Sequence, residues 1–154
     1  MPNEYVLNGN YQHMWGNMLH CSFAMTTPYN IKLFKNEQQA DLHRFIRQVE
    51  WANSIFFEGG ETLLLLQRLR LAGDWFTGLQ DKTIVAVSAG ISAIMTASFN
   101  VDHKFIVKGL GLLPFTSVVH YWNDMEWMIH ELKREYPSLP ALAIPDGSFT
   151  IIHY

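Results

Sequence analysis

Short apolar runs alternate along this chain with segments whose apolar residues recur at helical spacing. From Glu37 to Ala52, the residues Leu42, Phe45, Ile46 and Val49 share one side of a helix, with Arg44, Arg47 and Glu50 on the other. Ser54–Phe57 has the character of a short buried strand and opens directly into Gly59-Gly60. A helix is predicted from about Thr62 to Ala72, with a further turn around Trp75–Leu79. Thr83–Val87 is β-branched or small throughout, the composition of a strand buried on both faces of a parallel sheet. A helix of small residues is predicted from Gly90 or Ile91 to near Phe99, then a strand at Phe105–Val107 and an irregular extended segment within Leu110–Val119. Asp124–Tyr136 is an amphipathic helix stopped by Pro137. Ala141–Ile144 and Ser148–His153 read as the last strands, joined by a Pro145-Asp146-Gly147 turn suited to a hairpin. Ahead of all these, Glu4–Leu7 and Asn30–Phe34 read as strands, and Tyr11–Met25 as a helix ended by Thr26-Thr27-Pro28.

Alternation of strands and helices predicts the α/β class: a mainly parallel sheet flanked by helices, closed by a C-terminal β-hairpin. The 154 residues suffice for one core, and they carry no repeat, low-complexity tract or interdomain linker. A single domain over residues 1–154 is expected.

Composition narrows the function classes. Apolar residues make up 49% and charged residues 16%, and the formal net charge is −3. With no Lys/Arg cluster to contact phosphates, nucleic acid is not an expected partner. Cys21 is the only cysteine, so no intrachain disulfide can form, which fits a reducing compartment. Cys21 itself reads as a small buried residue. The N-terminus lacks a basic region followed by an apolar stretch. The longest apolar runs, Leu63–Leu66 and Leu110–Phe115, fall far short of the roughly 18 residues a membrane span needs. A soluble, cytoplasmic protein without a membrane partner is the expectation. His13, His20, His43, His130 and His153 have no ligand-like spacing to cysteines or carboxylates, so neither a metal nor another cofactor is expected.

The chemistry is concentrated in Thr83-Ile-Val-Ala-Val-Ser88-Ala-Gly90-Ile-Ser-Ala. A serine between a buried strand and Ala-Gly projects its hydroxyl above the sheet, and small neighbours let the backbone bend sharply and a substrate approach. The first N–H groups of the helix that follows point to the same place, where Ala89 supplies one to a developing anion. The plainer reading is a serine capping that helix through its side chain. In Ser54-Ile-Phe-Phe-Glu58-Gly59-Gly60-Glu61-Thr62, a strand opens into glycines whose N–H groups suit an oxyanion or a carboxylate. Its plainer reading is a glycine turn with Glu61 and Thr62 at a helix start. Two such turns at the carboxyl ends of neighbouring parallel strands face one crevice.

Four landmarks in order resemble peptidase family S51, the family of aspartyl dipeptidase (peptidase E) and cyanophycinase, whose fold is class I glutamine-amidotransferase-like. Ile55-Phe-Phe-Glu-Gly-Gly-Glu-Thr62 is similar to the family's strand and G-G-G-N-T. Val87-Ser88-Ala89-Gly90 is similar to G-x-S-A-G. Gly109-Leu-Gly-Leu-Leu-Pro-Phe115 followed by Val118-Val119-His120-Tyr121 is similar to the segment leading to the catalytic histidine. Leu142-Ala-Ile-Pro-Asp-Gly147 is similar to the strand and turn beyond it. The resemblance runs from about Ile31 to Tyr154.

It implies a three-layer fold and a serine-dependent hydrolase of amide bonds in small peptides. Ser88 would attack the scissile carbonyl, and His120 would take its proton and return it to the leaving amine. The oxyanion and substrate would rest on Gly59, Gly60, Ala89 and Glu61. The family places its orienting Asp between nucleophile and histidine, which selects Asp102, with Asp124 and Asp146 as rivals. Ala86 stands in the first glycine position of the serine motif, Glu58 replaces a glycine, and Glu61 replaces an asparagine. These two carboxylates disfavour an acidic substrate side chain, and no arginine follows His120 before Arg134. Both ends are short against the family's pattern, from which a homo-oligomer, a dimer, is expected to cover exposed edges. The same departures sustain a second reading, a catalytically inactive relative serving as a binding or assembly module, and the scaffold by itself also admits a third, an amidotransferase-type or esterase activity.

Overall fold

The computed structural model describes residues 40–153. The elements expected at Glu4–Leu7, Tyr11–Met25 and Asn30–Phe34, and Cys21 with them, lie outside the described residues.

Helix α1, Phe45–Trp51, is the described part of the first amphipathic pattern, with Val49 buried. Strand β1, Ser54–Phe57, turns Ile55 and Phe57 inward. Helix α2, Thr62–Leu71, buries Leu66 and Leu69, and a 3-10 turn follows at Phe76–Leu79. Trp75 holds these pieces together. It is fully buried, its indole N–H donates to the Leu69 carbonyl at 2.9 Å, and Phe45 meets its ring edge-on at 5.4 Å. Strand β2, Thr83–Ala86, pairs in parallel with β1, Phe57 standing opposite Ala86.

Helix α3, Ala89–Ile94, is shorter than the sequence predicts, because the chain becomes extended at Met95 and continues as strand β3, Met95–Asn100. The pattern hid this strand. Five of its six residues are buried, so it shows no alternation, and its small side chains suit a helix as well as a sheet. Strand β4, Phe105–Lys108, pairs antiparallel to β3. Strand β5, Leu113–Val119, orders the segment expected to be irregular, and pairs in parallel with β3.

A short 3-10 turn, Asn123–Met125, leads into helix α4, Glu126–Glu135. The helix buries Met128 and Leu132 in a cluster with Phe99 and Val118. It carries the chain across to strand β6, Ala141–Ile144, parallel to β5.

The fold is therefore α/β, with parallel pairing predominating, but the strands divide between a two-stranded sheet β1-β2 and a four-stranded sheet β4-β3-β5-β6. The expected hairpin does not form: residues 149–153 carry no strand. The Ser148 N–H and hydroxyl both close on the Pro145 carbonyl, at 3.2 and 2.7 Å. That tight local turn redirects the chain without pairing it back onto β6. Among the described residues, no helix is long and apolar enough to cross a membrane.

Candidate active site

Ser88 is held in place by the strand before it and the helix after it. The Val87 N–H donates to the Phe57 carbonyl at 3.0 Å, extending the β1-β2 ladder one step past the strands. Gly90 N–H then reaches the Val87 carbonyl at 2.8 Å, and Ser92 N–H reaches the Ser88 carbonyl at 3.1 Å. Between them Ser88 adopts φ 49°, ψ −112°, a conformation that costs a non-glycine residue about 1–3 kcal/mol. Packing maintains the bend. A side chain on Gly90 would put its Cβ 2.2 Å from the Phe57 carbonyl oxygen, so only glycine lets α3 start this close to β1.

The hydroxyl does not cap α3. Ser88 occupies the N-cap position but makes no side-chain capping bond, and its Oγ lies 2.8 Å from His120 Nε2. His120 follows the end of β5 with φ 55°, and the next residue is tied to β6 by the Tyr121 N–H on the Ile144 carbonyl at 3.1 Å. On the far side of the ring, Nδ1 is 2.5 Å from Asp146 Oδ1. An ionised carboxylate can only accept, so the Nδ1 proton points to Asp146 and Nε2 is left to accept from the serine hydroxyl. The three side chains thus form a relay in the chain order serine, histidine, aspartate. Each follows the carboxyl end of a parallel strand (β2, β5 and β6), the edge where open α/β sheets gather their sites.

The acid differs from the one expected. Asp102 sits exposed in the turn of residues 101–104 between β3 and β4, and both nitrogens of His120 are already engaged by Ser88 and Asp146. Asp124 lies in the 3-10 turn ahead of α4. Asp146 reaches the ring because parallel pairing of β5 with β6 sets Val119 opposite Ile144, so His120 and the 145–147 turn emerge side by side. About half of the His120 and Asp146 side-chain surface is open to water, so this pair works in a high effective dielectric.

The glycine loop lies alongside the serine turn. Phe57 stands opposite Ala86 and its carbonyl accepts from the Val87 N–H, so the two strands lead out together, one into Glu58-Gly59-Gly60 and the other into Ser88. Gly60 takes φ 133°, which side chains rarely adopt. The N–H of Ala89, first residue of α3, has no acceptor within its own helix. Glu61 has a structural use: its carboxylate accepts from the Leu63 and Leu64 N–H groups, at 2.9 and 2.5 Å, and caps α2. His103 Nε2 stands 3.8 Å from the same carboxylate, a contact between two loops that nothing in the sequence signals. Glu58 is half-buried, and that burial raises its carboxyl above the ordinary value.

No protein-family model and no curated protein matches the chain.

Proposed function

We propose that this chain is a serine-dependent hydrolase of amide bonds in small peptides, similar to the S51 dipeptidases in mechanism but not in preference for an acidic side chain, on a three-layer amidotransferase-like scaffold. The observation that carries this reading is the Ser88–His120–Asp146 relay, with the serine hydroxyl at 2.8 Å from Nε2 and the acid at 2.5 Å from Nδ1. A serine that merely ended a strand would have its helix N-terminus to cap, and this one does not cap it. The positive φ of both Ser88 and His120 also supports the reading, since uncommon backbone conformations cluster where chemistry needs a side chain aimed.

In the proposed reaction Ser88 Oγ attacks the scissile carbonyl carbon while its proton passes to His120 Nε2. The carbonyl oxygen becomes an oxyanion facing the N–H groups of Ala89 and Gly60. The imidazolium, steadied by Asp146, protonates the amine nitrogen as the C–N bond breaks, and an acyl-serine remains. Water then attacks the acyl carbon, giving its proton to Nε2. Collapse releases the carboxylic acid and returns the proton to Ser88.

A fluorophosphonate probe followed by mass spectrometry tests this directly. Labelling is expected at Ser88, absent in Ser88→Ala and reduced in His120→Ala. A folded protein that takes no label at Ser88 is not a serine hydrolase and fits the binding-module reading instead.

A further inference from the structure

The relay crosses a division in the fold. Ser88 follows β2 of the two-stranded sheet, while His120 and Asp146 follow β5 and β6 of the four-stranded one, and among the described residues no backbone ladder joins the two sheets. Helix α2 spans that division and is tied to the four-stranded sheet at both ends. At its last turn the Arg70 guanidinium donates to the Lys108 carbonyl, at the end of β4, over 2.9 Å. At its start the capping residue Glu61 meets His103, in the turn that leads into β4, at 3.8 Å. The helix thus runs along β4 in the same direction. The two ties differ in kind. Arg70 is always charged and makes a hydrogen bond. His103 stands too far from Glu61 for one, so that attraction is between charges and exists only while the imidazole is protonated. His103 is itself anchored: its backbone N–H donates to Oδ1 of the buried Asn100 at 2.9 Å, and its ring lies against Phe105 with centroids 5.9 Å apart. Asp102 and Lys104 flank it in its own turn with opposite charges, and Glu61 is the charged group that meets it from another element. Glu61 in turn directly follows Gly60, and its carboxylate is bound to two N–H groups of α2. A pull on Glu61 therefore acts on the Gly59-Gly60 turn.

Resting on the hydrolase reading of this same site, we propose that His103 is a positioning residue for the oxyanion loop: its imidazolium draws Glu61 toward the four-stranded sheet and so steadies the Gly60 N–H beside the serine turn. The neutral imidazole releases that end of α2, while Arg70 keeps the other. His103 touches no reacting atom and acts only through Glu61. Both side chains are about half open to water, so the effect on rate is limited to about two- to fivefold.

The test follows the rate of fluorophosphonate labelling at Ser88 in the full chain at about pH 6 and about pH 8.5, on either side of the range in which histidines change charge. Ionisation of His120 affects every variant, so each is compared with wild type at the same pH. His103→Gln is expected to label about two- to fivefold more slowly in acid and within about 1.5-fold of wild type in alkali. His103→Lys carries a cation at both pH values, so it should match wild type in acid and exceed it in alkali. Salt at about 1 M should remove most of either difference. With Glu61→Gln already in place, adding His103→Gln should change nothing. A loss in His103→Gln that is equal at both pH values marks a merely structural residue and overturns the inference. So does an unchanged rate in acid, a Lys variant that behaves like the Gln variant, or a loss that persists beside Glu61→Gln. Should His103→Gln not fold, His103→Lys decides: a salt-sensitive gain in alkali supports the inference, and no gain overturns it. Labelled Ser88 without these differences sinks the positioning role alone, while unlabelled Ser88 sinks the hydrolase and the positioning role together.

Discussion

At the scale of single residues, the relay depends on Ser88 and His120 both holding left-handed backbone conformations at the ends of strands. Asp146 is the partner whose removal separates this arrangement from the Asp102 alternative. Asp146→Asn leaves an amide that can donate as well as accept, so the imidazole loses the group that fixes its tautomer and steadies its charge. The expected loss in kcat/KM is about 10²- to 10⁴-fold, the lower end reflecting a pair half open to water. Asp102→Asn, in the exposed turn of residues 101–104, is expected to stay within about threefold of wild type. Steady-state kinetics on both variants checks this, and a reversed order would remove Asp146 from the relay. Ser88 is legible from a local feature, a strand running into Ser-Ala-Gly, whereas His120, at the end of an apolar segment, is singled out only by the resemblance to the S51 family. Asp146 is one of two rivals to Asp102 in the sequence. Its role depends on β5 lying beside β6, a tertiary pairing across an intervening helix, and its Pro-Asp-Gly setting is equally that of an ordinary turn.

Among the elements, the junction between β1 and α3 is the most exacting. Val87 and Gly90 both work against the Phe57 carbonyl region, one by donating to it and the other by leaving room for it. Gly90→Ala would force a Cβ to within 2.2 Å of that oxygen, which side-chain adjustment cannot relieve because the obstacle is backbone. Overpacking of this kind costs about 1–3 kcal/mol or more, which for a domain of this size lowers the melting temperature by roughly 5–10 °C. Because relief must come from moving the serine turn, Ser88 labelling is expected to slow at temperatures where the variant is still folded. Unchanged melting and labelling would show that the approach is looser than the geometry indicates. Elements with alternation or helical spacing, such as α2 and α4, could be read from the chain with bounds close to those observed. Strand β3 could not, since Ala97, Ser98, Phe99 and Asn100 are all buried and present no polar face to reveal the period. The missing hairpin has a different cause. Pro145-Asp146-Gly147 does turn the chain, but the turn presents Asp146 to His120 instead of returning a strand to β6.

The whole molecule registers the same site through its stability. Burial raises the Glu58 carboxyl above its ordinary value of 4.5 in the folded protein. Between 4.5 and that higher value the native state holds more of this proton than the unfolded chain does. Stability from this group therefore falls as pH rises through the window, and above the window the folded protein carries the full penalty of a half-buried, unpaired carboxylate. Below 4.5 the carboxyl is protonated in both states and the penalty vanishes. Glu58→Gln is neutral at every pH and should be free of it. The difference in melting temperature, variant minus wild type, is expected to approach a small constant in acid, rise with pH, and level off positive near neutrality. Every other ionisable side chain is common to both proteins, so the difference reads position 58 even though each separate profile mixes many groups. Thermal melts of the two proteins from about pH 4 to 7.5 check the sign. A difference that stays flat, or grows toward acid, would mean that the Glu58 carboxylate is not desolvated.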